Sequence, residues 1–149
     1  FSIAKEYFAE INLGGRLWGF DWFFYGPFIP KEKLELAIKE YAAFDPNNEQ
    51  PILFFDESFA GKILGFVVTN KYFYYRLKSK SYSNPINGKV LLADMTGFEF
   101  KYLIWGKVII NNRNKFITNF LTKRDGKVVE ELMNKFINEL SRGSMATQI

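Results

Sequence analysis

Apolar positions along this chain change their period twice. Residues 3–11 place Ile3, Tyr7, Phe8 and Ile11 on one face at helical spacing, and Gly14-Gly15 ends the pattern. Residues 18–28 are aromatic without a clean period and read as a strand pair or an irregular cover, although Trp18 and Trp22 stand four apart, as in a helix. The helical period returns over about 30–43. Pro30 suits a first helical turn, Glu32 and Glu35 favour the positive helix end, and Leu34, Ile38 and Tyr41 share a face. Asp45-Pro46-Asn47-Asn48 is the turn that closes this helix.

The pattern then shortens to that of strands. Residues 51–55, 63–69, 72–77, 89–93, 97–104, 107–110 and 115–121 are short apolar runs. Asn70-Lys71 supplies a two-residue hairpin turn, with Asn suited to positive φ, and 111–114 is a second strong turn signal. Residues 78–88 read as a polar loop containing Pro85. A last helix is predicted over about 125–141, capped by Asp125, with Val128, Val129, Leu132, Phe136, Ile137 and Leu140 on one stripe. The fold class that follows is α+β: a small, strongly bent antiparallel β-barrel of about seven strands, capped by the C-terminal helix and preceded by an N-terminal helix. Residues 1–28 form an aromatic-rich extension and 29–142 the domain. Gly143-Ser144-Met145 resembles a cloning junction, so 143–149 is read as an appended or disordered tail.

Composition narrows the chemistry. The 149 residues include 17 Phe, 8 Tyr and 3 Trp but neither Cys nor His. Without Cys there are no disulfides, thiolate nucleophiles or Cys-ligated metal sites. Without His the commonest general base and the usual transition-metal ligand are gone, so the expectation is a non-enzyme with no metal and no cofactor. No stretch reaches the roughly 18 apolar residues of a membrane span. Charge is uneven: residues 1–60 hold five Lys/Arg against ten Asp/Glu, while 61–149 hold fifteen against six. Such a split means an anionic partner for the basic half or two faces of the chain that attract each other.

The succession of Ile29-Pro30-Lys31-Glu32-Lys33-Leu34, Pro51-Ile52-Leu53-Phe54-Phe55-Asp56-Glu57-Ser58 and Gly65-Phe66-Val67-Val68-Thr69-Asn70-Lys71-Tyr72-Phe73-Tyr74-Tyr75 resembles bacterial pleckstrin-homology-like domains. Thr69-Asn70-Lys71 stands where that family commonly has Thr-Asp-Lys, and the likeness continues through Lys107-Val108-Ile109-Ile110-Asn111-Asn112 to the closing helix, over roughly 29–141. The resemblance implies a seven-stranded, strongly bent sheet with a C-terminal helical cap, and no single function, since such barrels bind lipids, bind peptides or assemble. Lipid-reading members carry basic residues in the loop between the first two strands. Here that loop, 56–62, has two acids and one Lys.

Two surfaces are candidates. The aromatic stretch, above all Trp18, Trp22, Phe23 and Phe24, reads either as a docking patch for a protein partner, a second copy of the chain or a membrane interface, or as a cover over the barrel. Lys71, Arg76, Lys78 and Lys80, with Lys89, form a basic set that suits an anionic membrane or nucleic acid, or else a solvated face. Tyr72, Tyr74, Tyr75 and Tyr82 lie among them, as stacking groups or as core. Asp56, Glu57, Asp94 and Glu99 are the carboxylates near the strands, read as turn and hairpin residues before catalytic ones. The expected role is a non-enzymatic interaction module for protein binding or self-assembly, cytoplasmic or peripheral to a membrane, with anionic-surface binding as the alternative.

Overall fold

The computed structural model describes residues 23–58, 61–78, 85–102, 106–118 and 123–147. The predicted helix over 3–11, together with Trp18, Trp22, Lys80 and Tyr82, lies outside them. Among the described residues eight antiparallel strands make one sheet: β1 (Phe23–Tyr25), β2 (Pro51–Asp56), β3 (Gly65–Thr69), β4 (Tyr72–Lys78), β5 (Pro85–Leu91), β6 (Phe98–Tyr102), β7 (Gly106–Ile110) and β8 (Asn114–Thr118). Helix α1 (Lys31–Glu40) separates β1 from β2, and α2 (Lys123–Thr147) closes the chain. The strands run in the order β1-β2-β3-β4-β8-β7-β6, with β5 also paired to β4.

The sheet curls on itself. Phe66 of β3 and Phe98 of β6 stand four strands apart along that path, yet their rings meet at 6.4 Å, and Tyr75 of β4 meets Phe116 of β8 at 4.7 Å. Among the described residues one pair, Lys78 with Ile117, joins the two halves. The inner face is closed by the α2 stripe Val129, Leu132, Met133, Phe136 and Ile137, which buries against Leu53, Phe55, Phe73, Phe100 and Val108. Apolar area is what drives this closure, at about 25 cal/mol per Å² removed from water. Much of the Phe and Tyr excess sits here, with ring pairs such as Phe66–Phe73 at 4.9 Å and Phe55–Phe66 at 5.2 Å.

The outer face of β2–β4 has a second core, Phe24, Ala37, Ala42, Phe44, Phe54, Val67 and Tyr74, flanked by Leu34, Ile38 and Tyr41. Strands covered on both sides have no reason to alternate, which accounts for the unbroken apolar runs in β2 and β3. Helix α1 supplies the cover. It begins after Pro30 at φ −64°, with Glu32 in its first turn and Lys39 in its last, the arrangement the helix dipole favours.

Several boundaries differ from the sequence expectation. The aromatic segment contributes β1, an eighth strand, which pairs with β2 through Phe23–Phe55, Phe24–Phe54 and Tyr25–Leu53. Strand β3 starts at Gly65 instead of residue 63, because Gly65 holds φ 147° with the Phe55 carbonyl where a Cβ would stand. Strand β5 begins at Pro85, inside the expected loop, and residues Leu92–Asp94 leave it as a 3₁₀ turn. Helix α2 starts at Lys123, so Asp125 is a first-turn residue and not the cap, and it runs to Thr147. At the β3–β4 turn Asn70 is not in the left-handed region. Its Oδ1 accepts instead from the Gln50 N–H at 2.9 Å, while Thr69 Oγ1 accepts from the N–H groups of Lys71 and Tyr72 at 3.1 and 3.0 Å. The non-glycine residues with positive φ among those described are Asn111 and Asn112, φ 54° and 57°, in the β7–β8 hairpin, where the Ile110 carbonyl accepts from the Arg113 N–H at 3.1 Å.

Candidate anionic-partner surface

The β4–β5 hairpin sets its charges by register. Tyr72 pairs with Leu91, Tyr74 with Lys89, Arg76 with Asn87 and Lys78 with Pro85. Alternate residues of a strand share a face, so Tyr72, Tyr74, Arg76 and Lys78 stand with Asn87, Lys89 and Leu91 on the outer side, neighbouring positions on one strand about 7 Å apart. Lys89 Nζ lies 4.7 Å from the centre of the Tyr72 ring, a cation–π contact. Arg76 Nη1 donates to Asn87 Oδ1 at 2.7 Å, which draws the guanidinium across β5. Lys71 is exposed in the β3–β4 turn, and its carbonyl accepts from the Leu92 N–H at 2.9 Å, so it sits at the Leu91 end of the hairpin. Among the described residues no carboxylate lies within 4 Å of Lys71, Arg76, Lys78 or Lys89. The structure therefore brings Arg76, Lys78 and Lys89 onto one face and puts Lys71 at its end.

Tyr74 and Tyr75 are structural. Tyr74 is buried, stacks on Phe44 at 5.6 Å and donates to both Glu49 oxygens, at 3.0 and 2.8 Å. Glu49 Oε1 also accepts from Thr69 Oγ1 at 2.7 Å, which ties the chain ahead of β2 to β3 and β4. Burial, and then the Glu49 hydrogen bond, push the Tyr74 hydroxyl well above the ordinary range, so it stays neutral and adds no charge to the face. Tyr75 points to the inner core and is raised by burial alone. With one face of Tyr72 under Lys89, neither Tyr74 nor Tyr75 offers a ring for bases to stack upon.

The other sequence candidates fall elsewhere. Phe24 is 7% exposed and packs on Phe54, with Lys33 Nζ 5.7 Å from its ring, so this aromatic belongs to the second core and not to an open docking patch. Phe23 is held in β1. Asp56 accepts from the Ser58 N–H at 3.0 Å and pairs with Lys33 at 3.5 Å, a turn-capping role, and Glu57 is buried beside it. Glu99 pairs with Lys101 at 3.2 Å on β6, and exposed Asp94 lends its carbonyl to Asn111 Nδ2. The four carboxylates thus occupy three separate elements. Among the described residues no group of three or more acidic side chains could hold a metal ion, and no helix is long and apolar enough to cross a membrane.

Sequence reasoning missed a second polar constellation. The free side of β6 is met by α2: Asn134 accepts from the Phe98 N–H at 3.1 Å and donates to the Phe98 carbonyl at 2.9 Å. Glu130 accepts from the Phe100 N–H at 3.0 Å, and Lys127 Nζ donates to the Phe100 carbonyl at 2.8 Å. A groove of about 310 Å³ runs beside this seam, lined by Gly97, Phe98, Glu99, Ile109, Asn112, Glu130 and Asn134. No spacing signal in the sequence marks these residues, because their partners lie 27 to 36 positions away. No protein family, curated protein or solved structure matches this chain.

Proposed function

We propose that the chain is a non-enzymatic interaction module built on a pleckstrin-like barrel, and that it binds an anionic partner through the outer face of β4–β5. One observation carries the reading: Arg76, Lys78 and Lys89 share that face with no carboxylate within 4 Å among the described residues. With no carboxylate beside them among the described residues their charge is uncompensated, and their summed field favours an anionic surface. The strand order supports the barrel half of the reading, since a meander of β2–β5, a meander of β6–β8 and a closing helix follow in sequence. The aromatic docking patch of Trp18, Trp22, Phe23 and Phe24 is the less favoured surface, because Phe24 is committed to the core.

The test is retention on a heparin column and binding to a polyanion across a salt series, for the parent chain and for Arg76→Glu, Lys78→Glu and Lys89→Glu. Binding that weakens with salt, with the slope of log K against log salt reduced by roughly one for each cation removed, is the expected result. Retention unchanged by all three substitutions sinks the assignment.

A further inference from the structure

Among the described residues the curled sheet has three ends, and they are closed to different degrees. At β6 the helix side chains Lys127, Glu130 and Asn134 satisfy both the N–H and the C=O of Phe98 and of Phe100. That closure is permanent, since the same helix carries the fully buried Val129, Leu132 and Met133. At β1 the strand is three residues long. At β5 the strand is seven residues long, and among the described residues its one neighbour is β4, so no strand runs along its other side. An edge of that length is a template for a further strand. Ile86 and Leu91, near its two ends, are 45% and 42% exposed.

We infer that β5 receives an extended, acidic peptide segment of a partner protein as an added strand, read by main-chain hydrogen bonds along β5 and by carboxylates on Lys89, Arg76 and Lys78. This deepens the proposed function and rests on its assignment of the basic face. Charge selects the occupant. Lys89 is on β5 itself, and the Arg76 guanidinium already reaches β5 through Asn87, so an incoming strand meets both on one face. A second copy of β5 would bring the same cations of two chains side by side, a like-charge pairing that weakens strand association. An acidic strand meets them with opposite sign, its alternate carboxylates matching the two-residue spacing of the cations. Leu91 and Ile86 supply apolar contact at the two ends of the added strand.

The probe is a nine-residue peptide alternating Glu with Val, compared with one in which Lys replaces Glu. Two further versions of the acidic peptide are N-methylated on alternate amides, in the two opposite phases. Only one phase of amides faces β5 in a paired strand, so methylating that phase should weaken binding about tenfold or more and methylating the other should leave it nearly intact. The amide signals of residues 85–91 should shift on titration, and the Lys peptide should fail to bind. Equal binding of both methylated forms, with loss on Lys89→Glu, overturns strand addition and leaves the basic face standing. Failure of every peptide, together with salt-independent behaviour on heparin, removes both. Sedimentation with phosphatidylserine vesicles that the acidic peptide does not compete away assigns the face to lipid and likewise overturns the proposal.

Discussion

Asn134→Ala removes both hydrogen bonds by which α2 closes the Phe98 position of β6. An unsatisfied buried backbone group costs about 1–3 kcal/mol, and two are exposed by this change. The adjoining groove of about 310 Å³ gives water a route to them, which lowers the penalty from the sum of both terms. A loss of about 2 kcal/mol follows, or a drop in the urea midpoint of about 1 M at a typical m value. Asn134→Asp sharpens the test. A protonated carboxyl still donates to the Phe98 carbonyl, but the ionised form faces that oxygen with Glu130 one turn away on α2. The carboxylate still accepts from the Phe98 N–H but leaves the Phe98 carbonyl without its donor, so this variant should lose one of the two bonds and keep the other. Urea unfolding at several pH values and amide exchange at Phe98 read both effects. An alanine variant within about 0.5 kcal/mol of the parent, with Phe98 exchange unchanged, refutes the account of the β6 edge.

Gly126→Ala should destabilise, against the usual helix preference for Ala by about 1 kcal/mol. The added Cβ would overlap the fully buried Phe100 ring, and overpacking of a core costs about 1–3 kcal/mol; thermal melts with and without Phe100→Leu should show the second change relieving the first. Alkaline stability follows from Tyr41, Tyr74 and Tyr75, whose hydroxyls are raised chiefly by burial above the ordinary value of 10.0, with Asp56 and Glu57 adding to the effect at Tyr41. Their stabilising contribution is complete below pH 10 and falls above it, by about 1.4 kcal/mol per pH unit for each hydroxyl that ionises only on unfolding. The tyrosinate absorbance due to these three should therefore rise in step with loss of far-ultraviolet dichroism, and a rise that precedes unfolding for all eight tyrosines would contradict it.

The sequence by itself determined the elements whose cause is local. The α1 face of Leu34, Ile38 and Tyr41 and the α2 stripe from Val128 to Ile137 follow from a 3.6-residue period, and both stripes pack on the cores. The 111–114 turn was legible because Asn tolerates the left-handed backbone that the hairpin needs at Asn111 and Asn112. The basic set near residues 71–89 was legible as composition. Its arrangement as one face needed the β4–β5 register, which sends alternate residues outward.

Tertiary structure decided the rest, and for one reason: the groups concerned find their partners far along the chain. Pro85, Asn87 and Gly88 read as loop, yet they form a strand because β4 offers a full-length edge and Tyr75 lies over Gly88 where a side chain would clash. Phe24 looked like a docking aromatic until β1 paired with β2 and turned it onto Phe54. Glu49, 20 and 25 positions from Thr69 and Tyr74, and Asn134, 36 from Phe98, carry no local signature. A polar side chain is recruited by whichever backbone or hydroxyl group the finished fold leaves without a partner, and that need exists only once the sheet has curled and α2 has closed it.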